Sequence, residues 1–347
     1  MKMLSGAMFN RPVFFVLAVR FGCSVVIGNG WVRFRTIEAA SAMTSNNHPL
    51  PAYDKSSATG YEDGLRTLIL MKGTDSCHWI MNAQRMAHEG HWRIRNMPDD
   101  NYPAGREMHW SQFLLWWLVL LGTIQSTLTG IPLGAAIESA APWSVALIHL
   151  VLLIALPWAV HRRIGWFAAG ILSLGLGTVY GYSSLFFVGS PDHHGLVATA
   201  LMASLLFLAV GGGGWIASGN GDQNPTWFPI RPQARRWFVA SGICAGVGLW
   251  ISAATAVSAF LGVGLGVAVA TVSVLGRNSG AGEWYDPSLW RIWGVTSALP
   301  SLAFYLIEYF PNHLGFRLEV NHPFYALAML GAGEILYRIT RWRTEGV

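Results

Sequence analysis

The sequence predicts an all-α protein: a polytopic bundle of transmembrane helices with a large first extracytoplasmic loop. Two observations predict this fold class. Of the 347 residues, 52% are hydrophobic and only 12% are charged, whereas about 25% are charged in ordinary soluble domains. In addition, apolar runs of about 18 to 25 residues recur between residues 111 and 340, and a helix of that length crosses about 30 Å of hydrocarbon. Too little charge is present to cover a soluble core of this size.

The first element is a marginal span over residues 13–30, which Arg20 interrupts. The alternatives for residues 1–30 are a signal-peptide-like segment, or a non-native leader from a misplaced start codon. The polar segment that follows contains a Ser, Asn and Pro-rich loop, and then a predicted amphipathic helix over residues 75–92. Eight apolar runs complete the chain, at residues 112–130, 140–160, 164–188, 196–217, 237–254, 255–276, 292–309 and 323–340.

The basic residues predict the orientation of these runs, because short cytoplasmic loops carry an excess of Lys and Arg. Basic groups follow the second, fourth, sixth and last runs, at Arg162–Arg163, Arg231–Arg236, Arg277–Arg291 and Arg338–Arg343. All four groups lie on the cytoplasmic side if the run 112–130 lies in the outer interface without crossing. The predicted regions are therefore 1–30, an extracytoplasmic loop with interfacial helices over 31–139, and a bundle of about seven spans over 140–347.

Charge and cysteine content exclude two other classes of protein. The net charge of +5 is not clustered with aromatic residues in a soluble segment, so no nucleic-acid partner is predicted. Cys23, Cys77 and Cys244 are far apart in the sequence. Their spacing predicts neither a disulfide framework nor a zinc site.

The most distinctive polar residues are Asp192, His193 and His194, in a short turn between two apolar runs on the predicted outer face. Ionisable groups at a membrane boundary are costly to dehydrate unless they are paired or metal-bound. Asp192 and His194 stand two residues apart, and their oxygen and nitrogen donors suit Mn²⁺ or Mg²⁺. Asp75 on the same predicted face favours a metal site, although Asp192 also suits an N-cap of the following helix.

Two further outer segments carry candidate binding residues. Arg106 and His109, in the segment DDNYPAGREMHW (residues 99–110), are positioned to contact a lipid phosphate, or belong to a turn before an interfacial helix. Arg317, Glu319 and His322 lie beside the last span, where Arg317 and Glu319 alternatively form a surface ion pair of little energetic value. Together with His193, these are the candidate substrate-binding residues.

Asp75 in a large first outer loop, YPAGREMHW at residues 102–110 and DHH at residues 192–194 together resemble the GT-C class of polytopic glycosyltransferases. The pattern is most similar to bacterial and archaeal relatives of the oligosaccharyltransferase catalytic subunit. The resemblance covers roughly residues 66–340 and implies a GT-C-like fold. It also implies that Asp75, Asp192 and His194 bind the divalent metal, with Asp75 as the catalytic residue.

The chain also departs from that family's pattern. Val197 stands where the archaeal motif often has Glu, and the family's further spans and soluble C-terminal domain have no counterpart in the 347 residues. Glu319 is the candidate for the role of a later glutamate of that family. We therefore expect either a shorter relative or a truncated gene product.

The resemblance implies a metal-dependent membrane glycosyltransferase that transfers a sugar from a polyprenyl-phosphate-linked donor to an acceptor. The expected location is a bacterial-type inner membrane, with the active face extracytoplasmic. A transporter or flippase is one alternative, and it predicts ionisable groups near the middle of the membrane. A truncated, non-catalytic membrane fragment is the other.

Overall fold

The structure is a computed structural model that describes residues 12–44, 51–62, 74–217, 227–273, 283–312 and 314–345. In these ranges the chain is mostly helical, and its four strands have two or three residues each and form two antiparallel pairs. The predicted all-α class is confirmed at this level. The long runs of Leu, Ala, Val and Trp offer no side-chain hydrogen-bond partners to the backbone. They fold as helices because a helix pairs the backbone N–H and C=O groups within the segment itself.

Packing divides the chain into two compact units. The first comprises Met1–Met108 with Gln112–Gly195, and the second comprises His109–Ser111 with Leu196–Val347. This division follows helix packing, whereas the predicted regions 1–30, 31–139 and 140–347 follow the expected membrane topology. Those regions stay predictions.

The first unit contains the N-terminal helix and most of the segment predicted to be an extracytoplasmic loop. Its helices are α1 (Pro12–Thr44), α2 (Thr74–Glu89), α3 (Phe113–Thr129), α4 (Leu133–Ala140), α5 (Ser144–Thr178) and the short α6 (Tyr180–Ser183). Single 3₁₀ turns occupy Ala141–Trp143 and Ser184–Phe186, and strands β1 (Asn96–Met97) and β2 (Arg106–Glu107) pair with each other.

Helix α5 is a hairpin of two antiparallel helices. Gly165 interrupts it with φ 82° and ψ 162°, a region that essentially only glycine adopts. On either side of this break, Ser173 Oγ donates to the Leu153 carbonyl at 2.8 Å, and His149 Nε2 lies 2.9 Å from the Leu176 carbonyl. The break thus separates the predicted runs 140–160 and 164–188, with Arg162 and Arg163 at their turn, but the second helix ends at Thr178, short of residue 188.

Helix α1 packs along this hairpin from its turn to its open end. Phe15 contacts Trp158 and Trp166 near the turn, at centroid distances of 6.2 and 5.3 Å. Gly30 approaches Trp143 at the other end. The span predicted for residues 13–30 is too short, because α1 continues to Thr44 without a break at Arg20. Charged residues from Arg33 onward end the hydrophobic run but not the helix.

Helices α3 and α4 form a second, shorter pair. A Cβ atom at Gly122 would lie 2.3 Å from Ile137 Cγ1, so the glycine allows the two helices to touch. Trp117 Nε1 donates to the carbonyl of Ser144, the first residue of α5, at 2.9 Å. Helix α3 otherwise packs chiefly against α2 and α4. That residues 112–130 do not cross the membrane stays a prediction.

The second unit is a bundle of long helices. They are α7 (His194–Val210), which belongs to this unit from Leu196 onward, α8 (Arg231–Ile251), α9 (Ala253–Ser273), α10 (Ser288–Phe304) and α11 (Pro323–Glu345). A π-helical turn, Tyr305–Tyr309, extends α10. The predicted run 196–217 is shorter as a helix, because a Gly-rich 3₁₀ turn (Gly212–Gly214) ends it and β3 (Trp215–Ala217) follows. Strand β3 pairs with β4 (Glu283–Tyr285).

Side-chain contacts fix the direction of these helices. Phe238 of α8 faces Trp290 of α10 at 5.2 Å, and a Cβ at Gly246 would lie 2.4 Å from the Ser297 carbonyl oxygen, so α8 and α10 run parallel. Helix α11 runs antiparallel to α10, because Arg291 pairs with Glu334 while Asn321 Nδ2 donates to the Ser301 carbonyl. The starts of α8 and α10 and the end of α11 therefore share one end of this unit. That end carries Arg231, Arg235, Arg236, Arg291, Arg338 and Arg341.

By length and composition, three helical segments among the described residues are long and apolar enough to cross a membrane. They are Pro12–Met43, Leu133–Thr178, which includes the hairpin, and Ala253–Ser273. Phe113–Thr129 and His194–Val210 are apolar but shorter.

Candidate functional site

Helix α2 carries the predicted catalytic residue in its first turn. The amphipathic helix predicted over residues 75–92 is confirmed as Thr74–Glu89, and its apolar face of Trp79, Ala83 and Met86 is buried. Asp75 is exposed at the N-terminus of the helix, where the helix dipole favours a carboxylate. Gly90, with φ 66°, follows the last helical residue.

The turn that carries residues 192–194 is held in place from both sides. Gly189 adopts φ 83°, and its N–H donates to the Pro142 carbonyl at 2.8 Å, so the turn is tied to the start of α5. On the other side, a Cβ atom at Gly195 would lie 2.6 Å from the Phe186 ring. Glycine at both positions allows the chain to pack this closely.

Asp192 joins both histidines through its carboxylate. Oδ1 lies 3.0 Å from His193 Nδ1, and Oδ2 lies 2.9 Å from His194 Nδ1. The backbone N–H of His193 also donates to Oδ1, at 2.6 Å. The side chains of His193 and Asp192 are largely buried, at 12% and 18% exposure, whereas that of His194 is 53% exposed.

These contacts determine the ionisation of Asp192. Burial alone would raise the pKa of its carboxyl, but hydrogen bonds from His193 and His194, with the charges of both rings, outweigh burial and hold that pKa well below its usual range. Asp192 is therefore present as a carboxylate, the form that binds metal ions.

The three side chains form a donor set that fits a divalent cation. Their ligand atoms all lie within 4.8 Å of one another. The Oδ2–Nδ1 distance of 2.9 Å to His194 matches two ligands on one ion, since bonds of about 2.1 Å at right angles separate the donors by about 3 Å. One carboxylate with imidazole nitrogens suits Mn²⁺ or Zn²⁺ better than Mg²⁺.

Asp75 is outside this cluster, on the helix that contacts it through Trp79. It is not one of the residues whose ligand atoms meet within 4.8 Å. Trp79, one helical turn further, is fully buried, and its ring lies 5.5 Å from that of His193. Residues four apart share a helix face with Cβ atoms about 5–6 Å apart. The helix thus brings Asp75 to the side of α2 that meets the DHH turn.

The remaining predicted binding residues occupy other positions. Arg106 lies on β2, exposed, with its guanidinium 3.6 Å from Asp100 Oδ2. His109 belongs to the second unit and packs against Trp110 at 5.2 Å.

Arg317, Glu319 and His322 also lie in the second unit. His322 has a structural role that the sequence did not indicate: its Nδ1 accepts a hydrogen bond from the Phe324 N–H at the start of α11. Its ring also packs edge-on against Tyr305 and Phe316. Arg317 and Glu319 are exposed.

Neither a known protein-family profile nor a curated protein sequence matches the chain. Solved structures do match. The apo oligosaccharyltransferase of Archaeoglobus fulgidus is 18% identical over 96% of this chain, with a TM-score of 0.62. The archaeal oligosaccharyltransferase AglB of the same organism, in complex with an inhibitory peptide and a dolichol-phosphate, is 17% identical over 96% of this chain, again with a TM-score of 0.62. The chain shares its fold with an archaeal oligosaccharyltransferase.

The predicted resemblance to the oligosaccharyltransferase catalytic subunit is confirmed at the level of the fold. This chain spans about a third of the solved AglB chains, since it covers 34% and 33% of their lengths. A further structure of the A. fulgidus oligosaccharyltransferase, with Zn and sulfate, is 17% identical with a TM-score of 0.59.

Within the AglB-like fold, the sequence identified the DHH turn but missed the contact between Trp79 and His193. These residues are far apart in the chain, and only folding of α2 against the turn brings them together. A signal was present: Trp79 stands four residues after Asp75, at the spacing of one helix face.

Proposed function

We propose that the protein is a polytopic membrane protein whose DHH turn lies at the extracytoplasmic side, in a bacterial-type inner membrane. The first half of the α5 hairpin, residues 144–164, is about 30 Å long, close to the thickness of the hydrocarbon core. It separates Arg162 and Arg163 at the hairpin turn from the DHH turn at the open end. The positive-inside rule then assigns the arginines to the cytoplasm.

The function that this site supports best is transfer of a sugar from a polyprenyl-phosphate-linked donor to an acceptor. The observation that carries the proposal is the cluster of Asp192, His193 and His194 beside the helix that bears Asp75. The oligosaccharyltransferase fold supports it, and one solved relative is a complex with a dolichol-phosphate. Because such a donor is anchored in lipid, the transfer has to occur at the membrane surface, where this cluster would lie.

A divalent cation would be held by Asp192 and His194, with Asp75 as a further ligand; of the two ions that the sequence predicted, Mn²⁺ suits these donors better than Mg²⁺. Such an ion neutralises charge that develops on the departing phosphate. The donor set fits this role, since a carboxylate and two imidazole nitrogens converge in a turn that backbone hydrogen bonds hold. One relative has been solved with Zn and sulfate.

The protein's own residues have separate tasks in this proposal. Asp75, exposed at the start of α2, accepts the proton of the acceptor nucleophile as a general base. His193, wedged between Trp79 and Asp192, orients the carboxylate. Arg106 and His193, both in the first unit, bind the donor's phosphate oxygens and sugar.

Substitution of Asp75 tests the proposal. In purified full-length protein with a labelled polyprenyl-linked sugar and Mn²⁺, we expect Asp75→Ala and Asp75→Asn to lose transfer by about 100-fold or more. Asp54→Asn is the matched control, because Asp54 is also in the first loop and its carboxylate accepts hydrogen bonds from the neighbouring Ser56; it should retain transfer. Full activity in Asp75→Ala refutes the assignment. Movement of the lipid-linked sugar across proteoliposomes without transfer would instead identify a flippase.

A further inference from the structure

The second unit has a cavity of about 620 Å³ at its basic end, between the first turns of α8 and α10. One wall is a stripe of α8 that follows helical periodicity, with Arg231, Arg235 and Val239 four residues apart. The opposite wall is the start of α10, at Ser288, Leu289 and Ile292. A volume of this size accommodates a small ligand.

Two of the arginines at this cavity have no acidic partner in the described part of the chain. Arg231 is held by Asp286, with Nε 2.7 Å from Oδ2, and Arg291 nearby on α10 is neutralised by Glu334. By contrast, Arg235 and Arg236 are exposed and form no ion pair among the described residues. The cavity mouth therefore carries two guanidinium charges that a ligand can neutralise.

The cavity is polar at one end and apolar at the other. Arg235 and Arg236 lie in the second turn of α8, whereas Val239 lies one turn further in, opposite Ile292. One turn advances about 5.4 Å along the axis. A ligand that follows the groove thus meets cations first and an aliphatic wall one turn later, which is the order of phosphate and acyl chain in a phospholipid.

We propose that this groove binds one anionic glycerophospholipid, with its phosphate on Arg235 and Arg236 and its acyl chain against Val239, Leu289 and Ile292. Guanidinium groups bind phosphate oxygens in bidentate fashion. Anionic headgroups are enriched where cytoplasmic basic segments meet the bilayer. The proposal requires that the chain lies in a bilayer, but it does not depend on sugar transfer.

Lipid binding to the purified full chain tests this site. Native mass spectrometry with phosphatidylglycerol or phosphatidylcholine in the same detergent should show a bound phosphatidylglycerol retained in preference to phosphatidylcholine. Each of Arg235→Gln and Arg236→Gln should weaken phosphatidylglycerol binding about fivefold, since a basic residue near an anionic surface contributes about 1 kcal/mol. Ile292→Ser should shorten retention of the lipid as well.

Arg162→Gln is the matched control, because Arg162 is an exposed arginine of the α5 hairpin turn and does not line the cavity. It should leave phosphatidylglycerol binding unchanged. Equal loss in Arg162→Gln and Arg235→Gln would show diffuse attraction to basic loops and overturn the site. Equal binding of the two lipids would overturn it, and so would displacement by millimolar inorganic phosphate.

Discussion

Asp192 and Glu334 are carboxylates that each bridge two basic side chains. Because the partners of Asp192 are histidines and those of Glu334 are arginines, the two clusters differ in their ability to bind a metal ion. Asp192 bridges two imidazoles, with both Nδ1 atoms within 3.0 Å. Glu334 bridges two guanidiniums, with Arg291 Nε at 2.6 Å and Arg338 Nε at 2.7 Å. Arginine stays protonated and offers no lone pair. A neutral histidine exposes a nitrogen lone pair to a metal ion.

The two clusters also differ in what they hold together. Glu334 joins α11 to Arg291 of α10, and the Arg291 guanidinium also lies 3.6 Å above the Tyr337 ring. Within the described ranges, the carboxylate of Asp192 contacts its own neighbours in sequence, His193 and His194. One cluster thus fastens two helices of the bundle, and the other concentrates ligand atoms in a turn.

The largest difference between the two clusters is expected when the carboxylate of each is replaced by the corresponding amide. Asp192→Asn should reduce metal-dependent sugar transfer about 100-fold or more, since it removes a proposed ligand. Glu334→Gln should keep transfer within about twofold and instead lower the melting temperature, because it breaks the tie between α10 and α11. Transfer from a labelled polyprenyl-linked donor and thermal unfolding of both variants measure this.

Equal loss of transfer in the two variants would contradict the comparison, because it would mean that fold integrity alone determines activity. If Asp192→Asn transferred sugar normally, the DHH turn would have no role in the proposed site. Titration of Mn²⁺ into both variants adds a second measurement: affinity should fall for Asp192→Asn and stay unchanged for Glu334→Gln.

The sequence predicted the pairing of Asp192 with His194 because these contacts are local, but it assigned His193 to substrate binding and added Asp75 to the metal ligands. Asp192, His193 and His194 are consecutive, so a turn is sufficient to bring their side chains together. The two runs on either side of Arg162 and Arg163 were also predictable, since hydrophobic length determines a span. Gly165 explains the turn between them, but its φ of 82° is a property of the folded backbone.

Other features were not predictable because they depend on packing between distant segments. The end of α1 at Thr44 was missed because helix formation continues past the apolar run. The role of His322 as an acceptor for the Phe324 N–H became clear only from the folded start of α11. The pairing of Arg291 with Glu334 required the antiparallel arrangement of α10 and α11.

A smaller effect should show how α2 supports the Asp192 cluster. Trp79 is fully buried, with its ring 5.5 Å from that of His193. We expect Trp79→Phe to weaken Mn²⁺ affinity by about tenfold or less, at the low end for residues that orient metal ligands. Metal titration is the measurement, since a purely structural role would lower the melting temperature without altering affinity. Met81→Leu, on the exposed face of α2, should change neither quantity.

The smallest effect is expected at Glu89, a third carboxylate that lies between two basic side chains. Its partners are Arg85 Nε at 2.7 Å and His91 Nδ1 at 3.0 Å. The Arg85 hydrogen bond lowers the pKa of Glu89 below its ordinary 4.5. A lowered folded-state pKa means that the stabilisation is present above pH 4.5 and is lost as pH falls through the folded-state value.

For this surface pair, we expect Glu89→Gln to lose about 0.3–0.5 kcal/mol of unfolding free energy at pH 7. The difference from the native protein should shrink below pH 4.5, in thermal unfolding across pH 3 to 7. Transfer and Mn²⁺ affinity should stay unchanged, since Glu89 ends α2 at the opposite terminus from Asp75. If Glu89→Gln lost as much Mn²⁺ binding as Asp192→Asn, any carboxylate between two basic side chains would be sufficient for metal binding. The pairing of Asp192 with two adjacent histidines would then have no special role.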